Sequence, residues 1–368
     1  MKAKQKLPFI DKLFLWVNFC LCVLLLISYL APVTDPAKFW LIAFFGLAYS
    51  PLLFANLVMV LYWLVRRKSY FILSLVVILI GWNVLADSVG FHLPGPDSAR
   101  PQSDVIRVMT YNVHGFRQYG KDRDTSSKHA ILQILREQDP DIIGFQEFFS
   151  SKKSAGFDMK DSIRTVMKTD YFYFAPFTRN KAVGMAIFSK LPIVDTGTLL
   201  LSNVLSENQC IYIDVKKGSQ TFRIYSVHLQ SIKFDQKDYT SLDSASAKGK
   251  TNVRSLQRMI GKLKNAFIKR SEQVFKIKEH AANCPYPYII SGDFNDTPGS
   301  FAFSRMVDGL KDAFREKGSG FGQTYNGDFP NYQIDFIMPG PQFEVASYKI
   351  IKRKLSDHYP VRSDLILH

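Results

Sequence analysis

Glycine-rich phosphate cradles, zinc-type Cys/His spacings and internal repeats are all missing from these 368 residues. Without a Walker-type loop, nucleotide-driven work is not indicated. Without paired Cys/His ligands, a structural zinc site is excluded. Cysteine is scarce: Cys20 and Cys22 lie in the first apolar run, and Cys210 and Cys284 much later. A disulfide between the later two is open, and we read both as buried free thiols. Acidic residues are also short, at 32 Asp+Glu against 47 Lys+Arg, for a net charge of +15. Residues 101–368 hold 38 of the basic and 28 of the acidic side chains. That surplus favours anionic partners such as nucleic acid, acidic lipid head groups or phosphorylated small molecules.

Long apolar runs are present, and they are confined to the first ninety residues. Segments 13–30, 39–65 and 70–86 carry no charge, and a spanning helix needs about 20 mostly apolar residues. The sequence therefore predicts a membrane anchor over residues 1–90 made of three transmembrane helices. Pro51 and Asn56 soften the second without preventing insertion. No small-x-small cleavage site follows the first run, which argues against a removed signal peptide. Lys2, Lys4, Lys6 and Lys12 precede the first run and Arg66-Arg67-Lys68 separate the second from the third. By the positive-inside rule these ends are cytoplasmic, so three crossings put everything after Asp87 outside the cytoplasm. The expected location is a multi-pass protein of a bacterial cell membrane with its soluble domain extracytoplasmic. Residues 91–103, dense in proline and glycine, read as a linker, and 104–368 as the soluble domain.

Polar residues at the ends of apolar, strand-like runs carry the chemistry. Tyr288-Ile289-Ile290-Ser291-Gly292-Asp293-Phe294-Asn295 ends in a carboxylate and a carboxamide two positions apart. In extended chain, such residues face the same side. Further runs end in Asn112, in Glu147 and in His228; another contains Asp335, and Asp357-His358 precede a last strand. Oxygen donors and imidazoles repeated at strand ends point to one shared face, able to hold a hard cation, a water or a phosphoryl group.

These motifs, Thr110-Tyr111-Asn112, Gln146-Glu147, Val227-His228-Leu229, Gly292-Asp293-Phe294-Asn295, Ile334-Asp335-Phe336-Ile337 and Ser356-Asp357-His358, resemble the endonuclease/exonuclease/phosphatase superfamily. That superfamily includes exonuclease III, pancreatic-type deoxyribonucleases, sphingomyelinases and inositol-phosphate phosphatases. The resemblance runs from Val105 to the C-terminus. It implies an α+β fold, a four-layer α/β/β/α sandwich of two mixed sheets. It also implies Mg²⁺, with Mn²⁺ as a substitute. Residue by residue, Glu147 resembles the main metal ligand, helped by Asn112 and Asp357. Asp293 resembles the group that orients or deprotonates water, and Asn295 one that binds phosphoryl oxygens. His358, paired with Asp335, resembles the imidazole facing the phosphate, and His228 a second one.

The expected activity is hydrolysis of a phosphodiester or phosphomonoester by an activated water. A lipid or small-molecule phosphoester is favoured by the tether to a bilayer. DNA or RNA is the alternative substrate, and a non-catalytic binding module is a third reading. The partners implied are the phosphoester and the lipid bilayer, with no protein partner indicated. Two segments carry lesser expectations. The stretch from Lys248 to Lys278, with apolar residues at helical spacing, reads as a solvated basic outer helix, or one whose basic face lies on anionic lipid. The long polar stretch from Gln230 to Asn252 reads as a loop covering the substrate. His114 reads as a loop histidine satisfied away from the chemistry.

Overall fold

Pro51 and Gly81 decide the shape of the N-terminal helices. The computed structural model describes residues 7–93, 104–117, 127–153, 157–178, 182–202, 206–232, 253–327 and 330–368. It begins with α1 (Phe9–Ser28), α2 (Pro36–Phe39), α3 (Leu41–Leu47), α4 (Tyr49–Val65), α5 (Phe71–Ile80) and α6 (Trp82–Ser88), then strand β1 (Val89–Phe91). Among the described residues one helix, Phe9–Val33, is by itself long and apolar enough to cross a membrane. The expected spans 39–65 and 70–86 are both broken, the first near Pro51, the residue expected to soften it. The α3/α4 pair is bent by 58° and the α5/α6 pair by 76°, and each passes the same test only if taken together. The first break follows from Pro51, whose ring would clash with the Leu47 carbonyl in an unbroken helix. At the second, the Tyr29 ring fills the place of a side chain at Gly81, where a Cβ would lie 2.0 Å from Tyr29 Cζ.

Polar contacts tie these helices together. Arg66 makes a two-pronged bond to Asp11, at 2.9 and 3.1 Å, and the Tyr62 hydroxyl donates to the same carboxylate. Ser74 Oγ donates to Asn18 and Asn56 at 2.5 and 3.1 Å, joining α1, α4 and α5 at their buried faces. Small and amide side chains are the usual glue between helices whose outer faces are apolar.

The rest of the chain builds two sheets. In chain order the elements are β2 (Val105–Asn112), α7 (Ser127–Gln138), β3 (Ile142–Phe149), α8 (Met159–Met167), β4 (Tyr171–Pro176), β5 (Val183–Ser189), β6 (Ile193–Leu200), β7 (Gln209–Lys217) and β8 (Gln220–His228). There follow α9 (Val253–Ala282), β9 (Tyr288–Asp293), α10 (Phe301–Val307), α11 (Ala313–Lys317), β10 (Ser319–Phe321), β11 (Asp335–Pro339), β12 (Phe343–Ile350) and β13 (Val361–Leu367). One sheet has the order β12-β13-β2-β3-β5-β4 and the other β11-β9-β8-β7-β6. Each is mixed, with a single parallel pair, β2/β3 in one and β8/β9 in the other.

Both faces of the central strands are covered, so their residues are buried in unbroken runs rather than alternately. Ile106, Val108, Ile142, Ile213, Ile224 and Ile289 meet between the sheets. Behind the first sheet, Ile131 and Leu135 of α7 and Ile163 of α8 pack on Phe145 and Phe188. Behind the second, Val274 and Ile277 of α9 and Phe303 of α10 pack on Tyr225 and Phe336. This is the four-layer arrangement expected from the motifs, a mixed α+β fold.

The N-terminal helices dock on this sandwich instead of hanging from a free linker. Strand β1 pairs antiparallel with β10, so Val89–Phe91 belongs to a small sheet, and linker residues 94–103 lie outside the described residues. Arg315 bonds Asp87 at 2.7 Å. Helix α9, expected to be solvated, is covered on part of its surface by the N-terminal module. Phe267 meets Phe44 edge to face at 5.3 Å, Lys264 sits over Trp40, and Ser271 donates to Asp35 at 2.7 Å. All four cysteines are free thiols; Cys210 is buried but Cys284, just past the end of α9, is only half-buried.

Candidate active site

Strand register places three of the motif residues side by side. His228 lies opposite Asp293 in the parallel pair β8/β9, and Asp293 lies opposite Asp335 in the antiparallel pair β9/β11. A row of side chains thus crosses the end of one sheet. Gly292 makes this possible: its φ is +141°, and a Cβ there would stand 2.1 Å from the Val227 carbonyl oxygen. Asn112 ends β2 in the facing sheet, opposite Gln146. Glu147 follows at a register break in β3, with φ 51°. That bulge turns its carboxylate toward the other sheet. Beneath it the Gln146 amide donates to Ser226 of β8 at 2.9 Å, pinning the sheets together.

The two sheet ends meet through Asn112. Its amide donates to Asp293 Oδ2 at 3.0 Å and to Glu147 Oε1 at 3.3 Å. His358 Nδ1 donates to Asp335 Oδ2 at 2.9 Å, which aims Nε2 at Asp293 Oδ2, 3.6 Å away. His228 Nδ1 donates to the Glu207 carbonyl at 2.8 Å, leaving Nε2 facing Asp293 and Glu147 at 3.7 and 3.8 Å. That buried Nε2 has no hydrogen-bond partner among the described residues. Asn295 turns back after Asp293, with φ 53°; its N–H donates to Asp293 Oδ1 at 2.8 Å and its amide to the Leu229 carbonyl at 3.1 Å. Asp357 takes a hydrogen bond from Ser356, whose hydroxyl also donates to the Asn112 carbonyl.

Asn112, Glu147, Asp293, Asn295, Asp357 and His358 all line one cavity of about 290 Å³, with Asp335 and His228 buried behind it. Burial raises the Asp293 pKa above the usual carboxylate value, aided by the Asp335 charge. Burial opposes charge on His358, but the Asp335 and Asp293 carboxylates outweigh it and raise that imidazole well above its ordinary value. Glu147 moves the other way: burial is overcome by the His114 hydrogen bond and the His228 charge, and its carboxyl drops to about 2.

Several residues of the cavity were not read from the sequence as functional. His114, expected to stand apart, lies with Nδ1 3.5 Å from Glu147 and 3.8 Å from Asp357. It follows Asn112 on a tight turn with φ 45°, and the spacing of two from a strand-end asparagine was the available signal. Arg270 of α9 is 1% exposed, pairs with Asp296 at 3.1 Å, donates to the Asn295 carbonyl and reaches the cavity. Tyr325 bridges to His358, and Leu47 comes from the bend between α3 and α4. Of the expected covering loop, residues 233–252 lie outside the described residues, while Ser231 and Ile232 line the cavity.

A model of the endonuclease/exonuclease/phosphatase family matches residues 109–358. The chain belongs to that family. Residues 11–88 match a second one, described as a domain of unknown function (DUF8431). No curated protein matches the chain. Among solved structures, a family protein from Bacteroides thetaiotaomicron is 19% identical, covering 72% of this chain and 98% of its own, with a TM-score of 0.53. A mannosyl-6-phosphatase of the same organism is 21% identical over 71% of this chain and 100% of its own, at 0.51. The human Nocturnin catalytic domain with bound sulfate is 17% identical over 73% and 96%, also at 0.51. At such identities the likeness is one of fold.

Endonuclease/exonuclease/phosphatase enzymes hydrolyse phosphoesters and generally depend on a divalent metal. The residues present fit such an ion. Asp293, Asp335 and His358 bring one ligand atom each within 4.8 Å of one another. On the other side of the cavity the Glu147 and Asp357 carboxylates converge on one partly open point, now spanned by the His114 imidazole. Oxygen donors partly open to solvent are what a hard cation takes while keeping several waters.

Proposed function

We propose that this protein is a membrane-anchored phosphoesterase that hydrolyses a lipid or small-molecule phosphoester by in-line attack of water, with Mg²⁺ as its working ion and Mn²⁺ as a substitute. One observation carries this reading: the Asn112 amide ties Asp293 to Glu147 inside a single cavity. The carboxylate suited to water and the carboxylate suited to metal are thereby held a fixed distance apart. Glu147 and Asp357, with the Asn112 side chain, would hold the ion. Asp335 and His358 are less suited to it, because each has a ligand atom committed to the other. When bound, the ion supplies positive charge to the phosphate oxygens and lowers their repulsion toward an incoming nucleophile.

The chain's own groups do the rest. Asp293 orients the attacking water and accepts its proton; burial has raised its proton affinity toward that task. His358, held by Asp335 and kept protonated, donates to the phosphoryl oxygens as negative charge builds there, and His228 does so through its unpartnered Nε2 when its ring carries both protons. Such fixed donors favour the transition state over the ground state. Asn295 spends one N–H on Leu229 and keeps the second for the same oxygens.

The experiment is a substrate panel on the full chain, with and without Mg²⁺, spanning plasmid DNA, RNA, sphingomyelin, phosphoinositides and a chromogenic diester. We expect turnover of the diester and of a lipid, abolished by chelation. Preference for naked DNA with a steep salt dependence would assign a nuclease instead. Metal-independent turnover, or none at all, would overturn the proposal.

The anchor reading completes the proposal: α1 and the two bent pairs each cross the bilayer, with both basic segments cytoplasmic and the catalytic cavity outside. The Asp11–Arg66 pair supports it, because it ties the N-terminal end of α1 to the basic end of α4. A reporter active only in the cytoplasm, fused to the C-terminus, should stay silent; an active fusion would reverse the topology.

A further inference from the structure

We infer that the catalytic cavity opens sideways into an apolar groove that takes one acyl chain of a phosphoester lipid directly from the bilayer. This deepens the phosphoesterase and anchor readings above and rests on them. A second cavity, of about 440 Å³, lies between the start of α4 and the loop that follows Asp293. It shares Thr297, Pro330 and Tyr332 with the catalytic cavity, so the two adjoin.

The groove's walls are largely apolar, with Tyr49, Pro51 and Phe54 from the helical module and Pro298 and Phe321 from the sandwich. At its outer end Phe54 is 68% exposed, and the same face of α4 goes on through the exposed Leu57 and Leu61. That is the helix side that meets lipid tails in the anchor reading, so the groove leads from the lipid-facing surface toward the catalytic cavity. At its inner end stands Leu47, the last residue of α3. The wall is also fixed in place. Gly46 packs on the catalytic loop so closely that a Cβ there would lie 2.6 Å from the Gly299 carbonyl oxygen. The break that Pro51 imposes on the α3/α4 pair therefore brings a membrane element to the catalytic loop. A soluble substrate has no use for such a passage; a lipid needs its phosphate in the cavity and its chain still in apolar surroundings.

The test uses the full chain in nanodiscs with Mg²⁺ and a series of alkyl 4-nitrophenyl phosphates from methyl to octyl. Each buried methylene is worth roughly 0.8 kcal/mol, about fourfold, so kcat/KM should rise at least 100-fold along the series. Ser50→Trp plugs the groove from an exposed position on α4, and Phe321→Glu places a charge on the opposite wall. Both should cut the octyl advantage below tenfold while leaving the methyl ester unchanged. Chain-length independence in the unaltered protein, or an octyl advantage that survives both substitutions, would overturn the inference. So would equal loss on both esters in both variants. Octyl and methyl phosphonate, which have no ester to cleave, read occupancy by calorimetry alone. Should no ester be turned over, the phosphoesterase reading fails, and tighter binding of the octyl compound, lost in the variants, still decides the groove.

Discussion

Glu147→Gln lowers kcat/KM on a chromogenic phosphodiester by about three orders of magnitude or more, with little change in thermal stability. The substitution keeps shape and an oxygen that can go on accepting from Asn112, at 3.3 Å in the unaltered protein. What it removes is charge, on a carboxyl that its surroundings hold ionised down to about pH 2. The loss should not be rescued by raising Mg²⁺ to ordinary saturation, because a neutral amide is a poor ligand for a hard ion. Asp293→Asn should cost a similar factor by a different route. One oxygen can still accept the Asn295 N–H, but the new NH₂ then faces the Asn112 NH₂ across a distance now 3.0 Å. Two donors in contact, both on buried residues, also cost about 1–3 kcal/mol of stability. The pair is therefore told apart by melting. Turnover within tenfold of the unaltered protein in both variants would refute the proposed roles.

Both carboxylates were legible before any coordinates, and the reason lies in the strands. Apolar runs such as Tyr288–Asp293 fill strands with both faces covered, and the polar residue that closes each one sits at a sheet end. Several such endings at the ends of central strands converge because the layers stack them there. Side chains that arrive sideways follow another logic. Arg270 comes from the middle of a helix, amid lysines that look like a solvated face. The ion pair with Asp296, the bonds to the Asn295 and Gln230 carbonyls and the Phe267 ring beneath it explain its burial. His114 is placed by a left-handed turn with φ 45°, and its spacing of two from Asn112 hints at the place without encoding that turn.

The N-terminal helices show a further limit. Hydropathy reads length and polarity, and on those grounds 39–65 and 70–86 look like uninterrupted spans. Pro51 was visible, but the size of its effect depends on what receives the displaced chain. Here Gly46 and Leu47 are received by the loop at Gly299. Gly81 was not visible as a break, because a glycine in an apolar helix is common and the filling ring belongs to Tyr29 on another helix. A proline and its docking partner thus act together at the first bend and a ring from the same module fills the second, so local pattern records only part of either.

Asp335→Asn should lower kcat by about a hundredfold to ten-thousandfold with KM changed little, the range seen when an imidazole loses an orienting carboxylate. Asp335 holds the His358 ring at 2.9 Å, and the ring in turn is aimed at Asp293. With asparagine, the amide can present its oxygen and keep the ring in place, or its NH₂ and force the ring to the other tautomer. In either case the ring loses a buried negative charge beside it. Burial already opposes the imidazolium, and the carboxylates are what raise its pKa well above the ordinary histidine value. The sign follows directly: in the unaltered protein the protonated ring persists to high pH and is lost only above that raised value. In Asp335→Asn the pKa falls, so the alkaline limb of the kcat profile moves to lower pH. A loss of rate with an unmoved alkaline limb would mean that His358 acts neutral. A rate unchanged at every pH would mean that the Asp335–His358 pair is a structural bond at the end of β11, with the phosphate served by His228 and His114 instead.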